Sequence, residues 1–179
     1  MKYSFKNDYS EGCHPKILEA LSQYNLDQQN GYGLDIYSEN AANIIREKSK
    51  SPESKVHLVS GGTQANLIVI SSILRPHESV VSANTGHIFT NETGAIEATG
   101  HKVHGVETKD GKLRPEDIQN VLDVHTNVPH QVKQKLVYIS NSTEVGTIYT
   151  KKELENLSEF CKKKNLYLFM DGARLGHAL

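Results

Sequence analysis

Three short stretches of this chain carry residue types that could do chemistry, and each follows a run of β-forming residues. The first is Ser60-Gly61-Gly62-Thr63-Gln64-Ala65-Asn66. Two glycines let the backbone turn sharply and approach a ligand closely. A helix that starts there presents free amides and the positive end of its dipole, which suit an anion such as phosphate. The Thr63 hydroxyl adds a donor. An ordinary strand-to-helix turn explains the same residues without a ligand, because glycine-rich turns are common. The second stretch is Asp171-Gly172-Ala173-Arg174. A shielded aspartate at a strand end can hold a protonated ring nitrogen, and Arg174 offers a planar fork to a phenolic oxygen or a carboxylate. The alternative is that Asp171 caps a following helix and Arg174 pairs with it. The third is His87 in Thr85-Gly86-His87-Ile88-Phe89. Its imidazole can stack on a flat ligand or move protons near neutral pH, with Glu92 on the same predicted helix to orient it. The alternative is a solvated loop histidine.

The elements that must position these groups alternate between strand and helix. Lys55–Ser60 reads as a β-rich run, Thr63–Leu74 as a helix that ends before Arg75-Pro76, and Ser79–Ala83 as a strand. The spacing predicts a helix over Ile88–Thr99 with Gly100 at its C-terminal cap, then a brief strand at Lys102–Gly105. Pro115 starts a helix with Glu116 and Asp117 in its first turn, and Lys135–Ser140 is a strand. The stretch from Val124 to Gln134 is a polar surface loop. Thr150 and Glu153 form a capping box for a helix running to about Lys164. Leu166–Met170 is nearly all apolar, as expected of a strand buried on both faces. This alternation implies an α/β fold with a mostly parallel central sheet flanked by helices. Before Lys55 the chain differs, with helices over Pro15–Tyr24 and Glu39–Lys50 around a polar Gly/Asn loop, as in an arm or flanking layer.

Three strand ends therefore supply an anion cradle, a ring-stacking group and an aspartate for a pyridinium, the protein parts that a pyridoxal-phosphate (PLP) enzyme requires. Composition excludes several other classes. Apolar residues make up 37% and charged residues 23%, with 20 Lys and Arg against 21 Asp and Glu. No basic block or acidic tail marks a nucleic-acid or membrane-surface binder. No apolar run approaches the roughly 20 residues a membrane helix needs, and Met1–Asn7 lacks the apolar stretch of a secretory signal. Cys13 and Cys161 lie far apart and read as free thiols of a cytoplasmic protein. His101 and His104 point to opposite faces of a strand, so no metal site is expected there.

The sequence resembles the low-specificity threonine aldolases, in the fold type I class of PLP enzymes, whose scaffold the β-eliminating lyases share. The resemblance runs along nearly the whole chain. "SGGTQAN" is similar to the family's phosphate-binding segment, which implies that Gly62 and Thr63 hold the PLP phosphate. "GHIFTNETGA" is similar to the segment whose histidine stacks on the PLP ring, here His87, with Glu92 close by. "DGARLGHAL" is the strongest match, implying that Asp171 pairs with the pyridine nitrogen and Arg174 lies near the ring oxygen. "NGYGLDIYSEN" resembles a Gly/Asp/Tyr loop that borders an active site at a subunit interface, so a homo-oligomer, a dimer or tetramer, is expected.

Two positions depart from the family's pattern. Where the family has Arg-Ser-Asp this chain has Lys6-Asn7-Asp8, so Asn7 is expected to help hold the substrate carboxylate. Where the family has Thr-His-Asn this chain reads Asn141-Ser142-Thr143-Glu144, with Thr143 at the histidine position and Glu144 as a substitute base. By the resemblance, residues 1–54 form an N-terminal arm with flanking helices, and 55–179 a PLP-binding large domain that is incomplete. The Schiff-base lysine is expected beyond Leu179, followed by a smaller domain. The implied reaction cleaves threonine or allo-threonine, as β-hydroxy-α-amino acids, to glycine and an aldehyde. The rivals are a β-eliminating lyase acting on another amino acid, and a catalytically dead binding or assembly module. An unpaired strand edge leads to the expectation that the chain self-associates.

Overall fold

The computed structural model describes residues 4–179. They divide into two compact units, the first ending at Leu58 and the second spanning Val59–Leu179.

In the first unit, α1 spans Pro15–Tyr24 and α2 spans Ile36–Lys48. Pro15 opens α1, a position where the missing N–H of proline costs nothing. α2 begins three residues earlier than Glu39, because Asp35 caps it by accepting from the Ser38 N–H at 2.8 Å. The Tyr24 and Tyr37 rings meet at a 47° tilt with centroids 5.3 Å apart, and the Tyr37 hydroxyl donates to Asp27. Ile17, Leu18 and Leu21 of α1 stay exposed.

The second unit holds four parallel strands: β1 (Glu78–Ala83), β2 (Lys102–Val106), β3 (Lys133–Ser140) and β4 (Tyr167–Asp171), in the order β2-β1-β3-β4. Each strand-to-strand crossover passes through helical or irregular chain, as parallel pairing requires. The helices are α3 (Gly62–Ile73), α4 (His87–Thr90), α5 (Ala95–Ala98), α6 (Pro115–Val124), α7 (Lys151–Lys163) and α8 (Leu175–Ala178). Successive side chains of β1 and β3 point to opposite faces, and both faces are covered. Val81, Ala83, Val137 and Ile139 pack with Ile118 of α6 and with Leu157 and Cys161 of α7. On the other face, Val80, Leu136 and Tyr138 pack with Ile70 of α3, Ile88 of α4 and Ile96 of α5. Each side chain fully buried in this way contributes roughly 1.5–3 kcal/mol of transfer free energy. The predicted capping box forms on α7: the Thr150 N–H donates to Glu153 at 2.7 Å and the Glu153 N–H donates to the Thr150 hydroxyl at 3.3 Å. The Lys112 ammonium reaches the same Glu153 at 2.6 Å and holds its carboxyl at about 2.

Three expected elements differ. Lys55–Ser60 is not a strand: local β propensity cannot make a ladder without a neighbour to pair with. The helix expected over Ile88–Thr99 breaks into α4 and α5, because Glu92, Thr93 and Gly94 take positive φ values of 59°, 50° and 76°. β4 is not buried on both faces. It lies at the sheet's edge among the described residues, with Tyr167 and Met170 exposed.

Candidate functional site

The carboxyl ends of β1, β3 and β4 and the N-terminus of α3 meet in one cleft, lined by Gly62, His87, Glu92, Ser140, Ser142, Glu144, Asp171, Ala173 and Arg174. Strand ends of a parallel sheet are where such sites form. The cleft encloses about 130 Å³, below the roughly 300–1,000 Å³ of a closed small-molecule pocket. It is a floor and a wall rather than an enclosure.

Asp171 is the last residue of β4 and pairs in register with Ser140 of β3. Parity along β3 then sets Tyr138 and Ser140 on one face, and the Tyr138 ring meets Phe169 edge-on at 5.6 Å. The Asp171 carboxylate accepts from three donors: the Tyr138 hydroxyl at 2.7 Å, the Asn66 amide at 3.2 Å and the Ala173 N–H at 3.0 Å. Burial, reinforced by the Asp171 charge, pushes the Tyr138 phenol well above its usual range. The phenol is therefore a fixed donor.

His87 opens α4 directly after Gly86. A Cβ at Gly86 would lie 2.2 Å from the Ser82 Oγ and 3.0 Å from the Ala83 carbonyl oxygen, so only glycine fits that approach. The His87 ring Nδ1 meets Glu92 Oε1 at 2.9 Å. An imidazole nitrogen facing a carboxylate carries the hydrogen, which directs Nε2 away from Glu92. The Glu92 side chain is 1% exposed, whereas that of His87 is 41% exposed. The Glu92 backbone, and that of Thr93, is held left-handed, at about 1–2 kcal/mol each. Strain of this kind concentrates where a side chain must be aimed. The second carboxylate oxygen of Glu92, Oε2, is buried without a partner among the described residues.

Glu144 completes the wall. Its Oε1 accepts from the His87 backbone N–H at 2.9 Å and from the Ser140 hydroxyl at 2.6 Å. The Ser140 hydroxyl has one hydrogen, and the shorter contact to a carboxylate claims it. The 3.3 Å Ser140–Tyr138 contact therefore carries no proton, since Tyr138 gives its own to Asp171. Two carboxylates thus each take one hydroxyl.

The cleft brings together Gly62, His87, Glu92, Glu144, Asp171 and Arg174. Thr63 is exposed in the first turn of α3, one residue past Gly62. Thr143 is turned elsewhere: it is buried, with its hydroxyl 2.7 Å from that of Thr147, which in turn donates to the Asp110 carbonyl. Ser142 lines the cleft instead. Asn7 lies in the first unit, where its side-chain oxygen accepts from the Tyr9 N–H and the Ser10 hydroxyl. Asn66, Tyr138, Ser140 and Ser142 had not been singled out. Asn66 carries a signal: it lies four residues before Ile70 on the buried side of α3, and both are buried, so a polar residue occupies a core position. Among the described residues no three His, Cys, Asp or Glu side chains gather as a metal would need, and no helix is long and apolar enough to cross a membrane.

Residues 9–179 match the model of the β-eliminating lyases. The chain is 31% identical over 176 residues to the low specificity L-threonine aldolase of Pseudomonas aeruginosa, covering 97% of this chain and 50% of that one. It is 33% identical over 176 residues to the low specificity L-threonine aldolase of a Pseudomonas species, again covering 97% and 50%. The structure of a threonine aldolase from Leishmania major superposes with a TM-score of 0.97 at 55% identity, covering 99% of this chain and 52% of that one. The chain spans about half the length of the curated relatives it matches, 50% for each of the two named here.

Proposed function

The chain belongs to the β-eliminating lyase family, and on that premise we propose that it serves PLP-dependent cleavage of β-hydroxy-α-amino acids, threonine or allo-threonine, to glycine and an aldehyde. The observation that carries this reading is Asp171, a carboxylate held by three donors at the base of a cleft that also holds His87 and the start of α3. The residues present fit PLP. The N-terminus of α3 at Gly61-Gly62 has open space where side chains would stand, leaving its amides accessible to a phosphate. Asp171 suits a protonated pyridine nitrogen, His87 a flat ring and Arg174 a phenolic oxygen.

When bound, PLP supplies the electron sink for bond cleavage. The chain's own residues do the rest. Gly62 and Thr63 hold the phosphate, and Asp171 keeps a proton on the ring nitrogen. Glu92 fixes the His87 imidazole, leaving Nε2 to stack or to exchange a proton. Glu144, tied to the His87 backbone and to Ser140, is the carboxylate available to take the proton of a substrate hydroxyl. Asn7 contacts the substrate carboxylate, while Thr143 acts indirectly by bracing the loop that carries Glu144. We read residues 1–54 as an arm, 55–179 as the PLP-binding domain, and the working protein as a cytoplasmic homo-oligomer, a dimer or tetramer. Exposed Ile17, Leu18 and Leu21 support the assembly, and the free thiols of Cys13 and Cys161 the compartment.

The test adds PLP to the protein, follows its absorbance, and assays products from threonine and allo-threonine. Binding with release of glycine and aldehyde supports the proposal, and Asp171→Ala should lower turnover about 100-fold or more. A keto acid with ammonia would replace it with β-elimination. Absence of PLP binding, or near-normal turnover in Asp171→Ala, would refute the assigned role.

A further inference from the structure

We propose that Asn66 is a positioning residue that fixes the Glu92 and Asp171 carboxylates of the cleft, and through them the imidazole and the ring-nitrogen partner. Its single amide nitrogen lies 2.7 Å from Glu92 Oε1 and 3.2 Å from Asp171 Oδ2. Those residues stand 26 and 105 positions away in sequence, on different elements. An amide nitrogen has two hydrogens, one for each acceptor. Asn66 is 1% exposed, so its amide has no access to solvent water.

The chemistry of the group matters. Two carboxylate oxygens sharing one neighbour repel each other, and a donor to each offsets that repulsion. An amide does this without a charge and without gaining or losing a proton in the working pH range. It therefore holds both carboxylates while staying out of the reaction's proton transfers. A hydroxyl could serve only one of them, having a single hydrogen, and a carboxylate in its place would add a third negative charge. Glu92 has no other donor for Oε1 except His87, and its Oε2 has none among the described residues. Among the described residues, removing Asn66 therefore leaves the imidazole as the sole hydrogen-bond partner of the Glu92 carboxylate. Asp171 by contrast keeps Tyr138 and the Ala173 N–H. The effect of losing Asn66 is thus larger on the Glu92–His87 side than on Asp171.

This inference rests on the cleft being the PLP site, but its main readout needs no PLP. In histidine-labelled protein without cofactor, NMR follows the His87 Nδ1 proton, which lies on the contact to Glu92 Oε1. Asn66→Leu, similar in size and without donors, removes the competing donor to that oxygen and should move the His87 Nδ1–H signal downfield. In a Glu92→Gln background the same substitution should leave that signal unchanged. A purely structural asparagine would lower the melting temperature without this dependence on Glu92. Equal shifts in the two backgrounds, or no shift in either, would overturn the proposal. Should Asn66→Leu fail to fold, the wild-type side-chain amide decides. Both Asn66 Nδ2 hydrogens should be shifted downfield and protected from exchange, and rapid exchange of either would overturn it. Added PLP then separates the two readings. No binding to wild type ends the PLP assignment, whereas wild-type binding with an unchanged His87 Nδ1–H signal in Asn66→Leu ends the role of Asn66 alone.

Discussion

Lowering the pH from about 8 to about 5 should weaken the fold through a single residue, His104. Its ring, on β2, is buried among Ser79, Gln134 and His125: Nε2 lies 3.1 Å from the Ser79 hydroxyl and 3.3 Å from the Gln134 amide, and the His125 ring stands edge-on at 4.5 Å. With an amide donating to it, Nε2 is an acceptor, and a proton there would set hydrogen against hydrogen. Burial first, then His125 and Lys102, depress the ring from 6.5 to about 4. A histidine depressed in the folded state binds its proton in the unfolded chain first. Its stabilisation is present above the unfolded value of 6.5 and is lost as pH falls toward 4. Those two values give a loss of about 2 kcal/mol at about pH 5 and about 3 kcal/mol at about pH 4. For a chain of this length, the first figure corresponds to a drop of about 4–8 °C in melting temperature. Glu153 is depressed from 4.5 to about 2, so its contribution is lost only as pH falls below 4.5, and the interval from 5 to 7 isolates the histidine. The assay is thermal melting of wild type and His104→Gln across that interval. The wild type should lose the extra stability and the variant should not. Parallel curves for the two would refute the assignment.

Two substitutions probe how the scaffold carries the site. Gly86→Ala places a methyl 2.2 Å from Ser82 Oγ. It should cost about 1–3 kcal/mol and weaken the His87–Glu92 contact, seen as a lower melting temperature and a shifted His87 Nδ1–H signal, with unchanged values arguing against the close approach. Thr150→Ala removes the α7 cap and should cost about 1 kcal/mol in denaturant unfolding, with no effect on PLP absorbance.

Much of the site was legible because strand ends are where a parallel sheet presents its groups. His87 after β1 and Asp171 at the end of β4 could be placed from local patterns, and Glu92 near His87 as well. What could not be read was the facing of side chains in irregular chain. After β3 the alternation of a strand no longer applies: of the two residues expected there, Glu144 lines the cleft, whereas Thr143 is turned away and Ser142 lines it instead. The turn at Glu92–Gly94 escaped a helical spacing argument that counts apolar residues only, although Thr93-Gly94 is itself a turn pair. Asn66 and Tyr138 were hidden by their context: they sit where core residues belong, and their polar atoms matter only because Asp171 arrives from a distant strand. The failed strand at Lys55–Ser60 has the same origin, since pairing is decided far along the chain. The burial of β4 was overread for the same reason: an apolar run reveals preference, but not what stands beside it.

Among the described residues, the outer margin of β4 offers a row of main-chain donors and acceptors with no proline or bulge to guard it. The carboxylate at the heart of the cleft is the final residue of that same strand. A polypeptide that paired with this margin would extend the ladder up to the residue that carries that carboxylate.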